Sequence, residues 1–318
     1  MGTKDIMLKN YFTPERFADM FNAIVFNGRR MVDFRNVTQW EKETDEVKVK
    51  GKDAFANWRL RDTIKVVELP DAVYCLMAIE HQIKAEPEMP LRVMEYDVRE
   101  YLRQMREDGV SKLKPIITLV IYWEGNEWSY ATTLHEMFDE TARAFLEKTG
   151  IMKYLPDYRM NLFIPKSATA EELERFETDL KYVMTYVRYS DDKNKLMNYA
   201  RENDIVLNIE SVTIINALTN SNLKIEEGKD EVQMCKALDD LIEDGRNEGR
   251  SEGIEIGRQE GRQEGRQEGR QEGRQEGSII GFITACREFD KKDTEIMELI
   301  TEKYAINSQE AERLMKEA

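Results

Sequence analysis

The sequence predicts an α/β core followed by a mostly helical second half. Apolar runs at 62–69, 73–82 and 116–123 have strand length and are rich in β-branched residues. Helix-period segments at 13–26 and 90–106 flank them. Beyond residue 135 the pattern turns helical, at 136–149, 169–188, 191–202, 206–221 and 229–245. Strands alternating with helices in the first part place the sheet there.

Taken in order, the first helix starts where Thr13 can cap it and Pro14 fits its first turn. Phe17, Met20, Phe21, Ile24 and Val25 form its apolar stripe, and Asn27 with Gly28 ends it. Residues 40–60 are charged and read as a loop or irregular strand. DTIKVVEL (62–69) is a strand, Pro70 and Asp71 turn the chain, and VYCLMAIEHQ (73–82) is a longer strand. The second strand is apolar on both faces, which makes it central. In 90–106 the spacing puts Leu91, Met94, Val98, Leu102 and Met105 on one side. Pro115 precedes the buried strand 116–123, and DYRMNLFIP (157–165) can add an edge strand.

Composition narrows the class. The 318 residues are 41% hydrophobic and 34% charged, enough for a sizeable core under a charged surface. No apolar run approaches the roughly 18 residues of a membrane helix, and the N-terminus lacks a signal-peptide core. Cys75, Cys235 and Cys286 are widely spaced and odd in number, which fits buried thiols in a reducing cytoplasm. With two histidines and no CxxC, a structural zinc site is not expected. The net charge of −15 argues mildly against a protein that coats nucleic acid. Most of that acidity lies beyond residue 200, where 28 acidic residues face 17 basic ones.

The chemistry centres on Asp62 and the triplet Glu80, His81, Gln82. Glu80 and Gln82 are two apart on a strand and share one side; His81 faces the other. Two carboxylates at the end of a hairpin can hold a divalent metal, and a metal beside a phosphate can drive hydrolysis. Whether Asp62 joins Glu80 depends on register. A two-residue turn at 70–71 sets Asp62 opposite Ile79. A three-residue loop at 70–72, or one bulge, sets it opposite Glu80 and pairs Ile64 with Ala78 and Val66 with Leu76. The functional reading requires the second register. Glu80 and Gln82 can equally form a solvated strand end, and Arg92 with Tyr96 an ordinary surface pair.

An Asp followed about twenty residues later by Glu-x-Gln, between two helices, resembles the PD-(D/E)xK nuclease superfamily. More narrowly, Arg61-Asp62, Ile79 to Gln82, MPxRxxxY at 89–96 and PIITLVIY at 115–122 resemble the Rpn group of recombination-promoting nucleases or transposase-like proteins. Lys4-Asp5 and FADMFN (17–22) also resemble that group's N-terminal segment. The resemblance covers residues 1–165. It implies a restriction-endonuclease-like core, an αβββαβ mixed sheet, acting as a metal-dependent DNA endonuclease. Asp62 and Glu80 would hold Mg²⁺ or Mn²⁺, with the backbone carbonyl of His81 as a further ligand. Gln82 stands where the superfamily more often has lysine. It can orient a water but supplies no positive charge. Arg92 and Tyr96 would contact substrate, as would Asp5. The alternative is a non-catalytic DNA-binding or transposition accessory on the same fold.

This reading divides the chain into a nuclease-like domain at 1–165, a helical extension at 166–244, a repeat at 245–277 and a helical tail at 278–318. The repeat carries a glycine every fourth residue and ends in five Gly-Arg-Gln-Glu units. Each glycine costs a helix about 1 kcal/mol relative to alanine. Arginine and glutamate stand two apart, and i,i+4 pairs are like-charged, so side chains give no internal support. A partner helix would supply it, and a parallel second copy would set arginine against glutamate. Homo-oligomerisation through the repeat is therefore expected, with a flexible charged linker as the other reading. Tail helices are expected at 278–287, 293–304 and 308–317.

Overall fold

The computed structural model describes residues 3–40, 63–106, 109–226 and 228–318. They divide into two compact units, residues 1–241 and residues 242–318.

The first unit opens with α1 (Thr3–Tyr11) and α2 (Pro14–Met20), which continues as a wider π turn over Phe21–Val25. Thr13 caps α2 by accepting from Arg16 N, as the sequence predicts. Phe17, Met20 and Phe21 are fully buried. Asn27 and Gly28 leave the helix with positive φ. Asn22, within the π turn, accepts from Met31 N and Val32 N and donates to Val32 O, which fixes the chain on its way to the sheet.

The sheet is mixed and has five strands in sequential order. These are β1 (Val37–Gln39), β2 (Thr63–Leu69), β3 (Val73–Gln82), β4 (Ile116–Tyr122) and β5 (Asn161–Phe163). The first three are antiparallel; β4 and β5 run parallel to β3. β3 is central and buried along most of its length, and β5 is the expected edge strand.

Between β3 and β4 the chain forms α3 (Met89–Arg106), and its orientation corrects the sequence reading. The expected apolar stripe does not face the sheet: Leu91, Val98, Leu102 and Met105 are 40–56% exposed. The buried side carries Met89, Val93, Tyr96, Asp97 and Gln104. Met89 and Val93 pack on Val120 of β4 and on Met160. The polar residues on this side have partners. Asp97 accepts from Thr118 Oγ1 at 3.0 Å and from the Tyr158 hydroxyl, and Gln104 bridges Lys114 N and O. Specific hydrogen bonds make the polar side buriable.

After α4 (Glu140–Thr149) and β5 the helices continue as α5 (Ala170–Glu174), α6 (Leu180–Tyr189), α7 (Lys193–Asn203) and α8 (Ile209–Thr219). The expected helix at 169–188 is two helices. The expected helix at 206–221 begins as a strand, β6 (Val206–Asn208), paired with β7 (Glu231–Gln233). Asn208 then caps α8 by accepting from Ser211 N. These helices pack back on α1 and α2. Arg16 donates to both oxygens of Asp179 and to Tyr11 O, and Ser211 Oγ donates to Asp179. Residues 166–241 thus share one unit with the sheet.

α9 spans Met234–Glu288 and includes the whole glycine repeat. The helix expected at 278–287 is its last part. α10 (Asp293–Tyr304) and α11 (Ser308–Glu317) lie where the sequence predicts them. In the second unit Ile279 and Ile283 of α9 pack with Ile296 and Ile300 of α10 and with Ala311 and Leu314 of α11.

Candidate active site

The β2–β3 hairpin decides whether the sequence-predicted site can form. Leu69 stands opposite Val73 across the three-residue loop 70–72, and the ladder runs unbroken to Thr63 opposite Ile79. This is the register that the functional reading requires. Ile64 pairs with Ala78 and Val66 with Leu76, and all four share one apolar cluster. Asp62 itself lies outside the described residues, as do Arg61 and the side chain of Asp5.

Glu80 and Gln82 follow Ala78 at a period of two and take the same face. Across the parallel ladder Glu80 stands beside Val120, and Gln82 beside Tyr122. Val120 is covered by α3 through Met89 and Val93, so α3 lies over the face that carries Glu80. Neither residue forms a solvated strand end: Glu80 is 1% exposed and Gln82 7%. A buried carboxylate needs compensating charge.

One positive charge that acts on Glu80 is on α3. The Arg92 side chain is 16% exposed and pairs through Nη1 with Glu86 in the connection between β3 and α3. Burial alone would lower the Arg92 guanidinium. The neighbouring Tyr96 hydroxyl, then Glu86 and Glu80, outweigh burial and hold it above its ordinary value. Glu80, Arg92 and Tyr96, chosen from the sequence, therefore come together. Glu86 was not singled out there. Its signal is weak, one of two glutamates in a polar connection, six residues before Arg92.

His81 faces the other side. Its ring lies 5.0 Å from that of Phe12 and stacks on Trp123 at 6.0 Å, and Trp123 Nε1 donates to its Nδ1 at 3.3 Å. Burial pushes its pKa down to about 3, so the imidazole is neutral. Its backbone is placed differently. Gln82 O accepts from Trp123 N on the β4 side. Backbone carbonyls alternate along a strand, so the His81 carbonyl is directed to the β2 side, beyond Thr63.

The donors so described are hard oxygens, a carboxylate and a carbonyl, of the type that Mg²⁺ takes. Among the described residues no group of three or more His, Cys, Asp or Glu side chains is arranged to hold a metal ion. The fit among the described residues is therefore partial.

Residues 58–212 match the family model described as "Putative transposase, YhgA-like". The matched segment is similar to that family and makes up just under half of the chain. The match spans the hairpin, α3, β4, β5 and the helices through the start of α8, but not β1, in agreement with the family resemblance read from the motifs. No curated protein and no solved structure matches the chain. Among the described residues no helix is long and apolar enough to cross a membrane.

Proposed function

We propose that the first unit is a DNA endonuclease of the PD-(D/E)xK type that hydrolyses phosphodiester bonds with Mg²⁺ or Mn²⁺. The observation that carries this reading is the burial of Glu80 near the half-buried Arg92, within the family-matched segment, in a hairpin whose register suits Asp62. A restriction-endonuclease-like arrangement of the mixed sheet is part of the proposal.

In this reading Asp62, Glu80 and the His81 carbonyl would hold the ion. When bound, the ion would supply Lewis-acid stabilisation of the phosphate and activation of the attacking water. Gln82 would orient a water through its amide. Arg92 supplies a fixed positive charge toward the phosphate, a role that geometry and electrostatics favour over general acid chemistry because guanidinium does not deprotonate. Tyr96 steadies Arg92, and Asp5 completes the acidic side of the site. DNA is the substrate. Homo-oligomerisation through α9 and a function in the cytoplasm, consistent with free Cys75, Cys235 and Cys286, complete the proposal.

Two observations favour a second reading, a non-catalytic DNA-binding or transposition accessory: Gln82 replaces a cation, and the net charge is −15. Conversion of supercoiled plasmid by the purified protein, with Mg²⁺, with Ca²⁺ and with chelator, separates the two. Nicking in Mg²⁺ alone supports the nuclease. DNA binding without cleavage in any condition supports the accessory.

A further inference from the structure

We propose that the outer face of α3 is an interaction surface whose partner is the α3 of a second copy of this chain, laid antiparallel about Val98. This surface belongs to the first unit, apart from α9, and does not depend on the nuclease reading.

α3 turns Met89, Val93, Tyr96, Asp97 and Gln104 to the protein. At about 100° per residue, Leu91, Met94, Val98, Leu102 and Met105 fall within about 80° of arc on the opposite side. Four of them are exposed and Met94 is half-buried. An apolar row of this kind on a water-facing side marks an interaction surface. The spacing indicates what covers it. Leu91, Val98 and Met105 stand seven apart, and Met94 follows Leu91 by three, the pattern of a seam between two helices.

The flanking charges select a second copy and its direction. One flank carries Glu88, Glu95, Arg99 and Arg106, all exposed, with the acids toward the N-terminal end and the bases toward the C-terminal end. Glu88 follows the screw of the helix, since its carbonyl accepts from Arg92 N. The other flank carries Pro90 and Tyr101. A two-fold axis between antiparallel helices brings the same flank of both copies together with its ends exchanged. Set at Val98, it places Leu91 of one copy against Met105 of the other, and Met94 against Leu102. Glu88 then meets Arg106. Glu95 and Arg99, an i,i+4 pair within the helix, close a ring of four charges with the same two residues of the other copy. A parallel pair instead sets each charged flank against Pro90 and Tyr101. Exposed ion pairs add little affinity, but they fix direction and register. The seam is short, so folded protomers pair reversibly and each α3 is still held by its own sheet.

The test uses the full chain with single added cysteines and a short bis-maleimide. Cys75 and Cys286 are buried, and Cys235→Ser removes the remaining accessible thiol. Val98→Cys, with an unchanged melt, should link to itself. Leu91→Cys and Met105→Cys should each fail to self-link, because the two-fold holds like positions about 21 Å apart, and should link when mixed. Association through α9 alone would not produce this dependence on position. Self-linking at Leu91 and Met105 as well as at Val98 would show a parallel pair. A Val98→Cys thiol that takes up a monofunctional maleimide but never links would show an open face. One that does neither would show cover by another segment or another protein. Each of these three results overturns the proposal.

Discussion

Thr63 stands opposite Ile79 across the β2–β3 ladder, and this one pairing determines which face every hairpin side chain takes. It follows from a loop of three residues rather than two. Asp71 and Ala72 in that loop both have positive φ, 61° and 55°. A side chain there costs about 1–2 kcal/mol. Ala72→Gly should therefore stabilise the protein by about 0.5–1 kcal/mol, the strain relieved less the entropy that glycine adds to the unfolded chain. Deleting Ala72 should shift the register by one residue and turn one strand's faces over. Urea unfolding checks both: a modest gain for the first and severe loss for the second.

The two sides of α3 should respond in opposite ways to mutation. Met89 is fully buried against Val120, so Met89→Ala should cost about 2–5 kcal/mol. Leu102 is 40% exposed, so Leu102→Lys should change stability by no more than about 0.5 kcal/mol. Equal costs at the two positions would return the apolar stripe to the core.

The Arg16–Asp179 pair should make stability depend on acid. Burial would raise the Asp179 carboxyl, but donors from Arg16, Ser211 and Asn208 outweigh it and hold it below its ordinary value of 3.8. The folded state therefore binds this proton more weakly than the unfolded chain. The contribution is full above about pH 4 and disappears as pH falls through the lowered folded value. At pH 7 Asp179→Asn should cost about 1–3 kcal/mol, because the buried Arg16 loses its two-oxygen partner and keeps the exposed Glu210 as its remaining carboxylate. The difference between variant and wild type should shrink as the pH falls below 4. A pH-independent difference in denaturant midpoints would contradict this.

The glycines of α9 allow a test of self-association. Nothing lies within 4 Å of a Cβ added at Gly261, Gly265 or Gly269. Alanine at all three should strengthen the helix by about 1 kcal/mol per site. If a second copy approaches along this stripe, the added methyls should also weaken the oligomer. Circular dichroism and light scattering on the full chain would register both effects. A more helical variant with unchanged mass would exclude the glycine face as the contact.

Much of the fold was legible because its signals are local. β3 is found at the expected residues 73–82, and α10 and α11 at 293–304 and 308–317, since each is bounded by turn or cap residues that act within a few positions. The three-residue hairpin loop could be derived only as one of two choices. The sequence reading failed where distant partners decide. The polar face of α3 is buried because Thr118, Tyr158 and Lys114 satisfy Asp97 and Gln104, and no periodicity contains that information. Helix 169–188 is divided at a stretch where Asp19 accepts from Glu177 N and Thr178 N, a contact across some 158 residues. Around Glu80, spacing singled out Arg92 and Tyr96 as residues of one helix face, but not Glu86, whose hydrogen bond to Arg92 crosses from the β3–α3 connection.

Plasmid cleavage by Glu80→Gln tests the central claim most directly. The substitution keeps the shape of the side chain and removes its charge, so a melt should show an intact fold. In Mg²⁺ the wild type should nick supercoiled DNA, and Glu80→Gln should be slower by about 100-fold or more, the order expected when a key electrostatic group is removed from an active site. Equal nicking by the two proteins would show that the buried carboxylate takes no part in the chemistry.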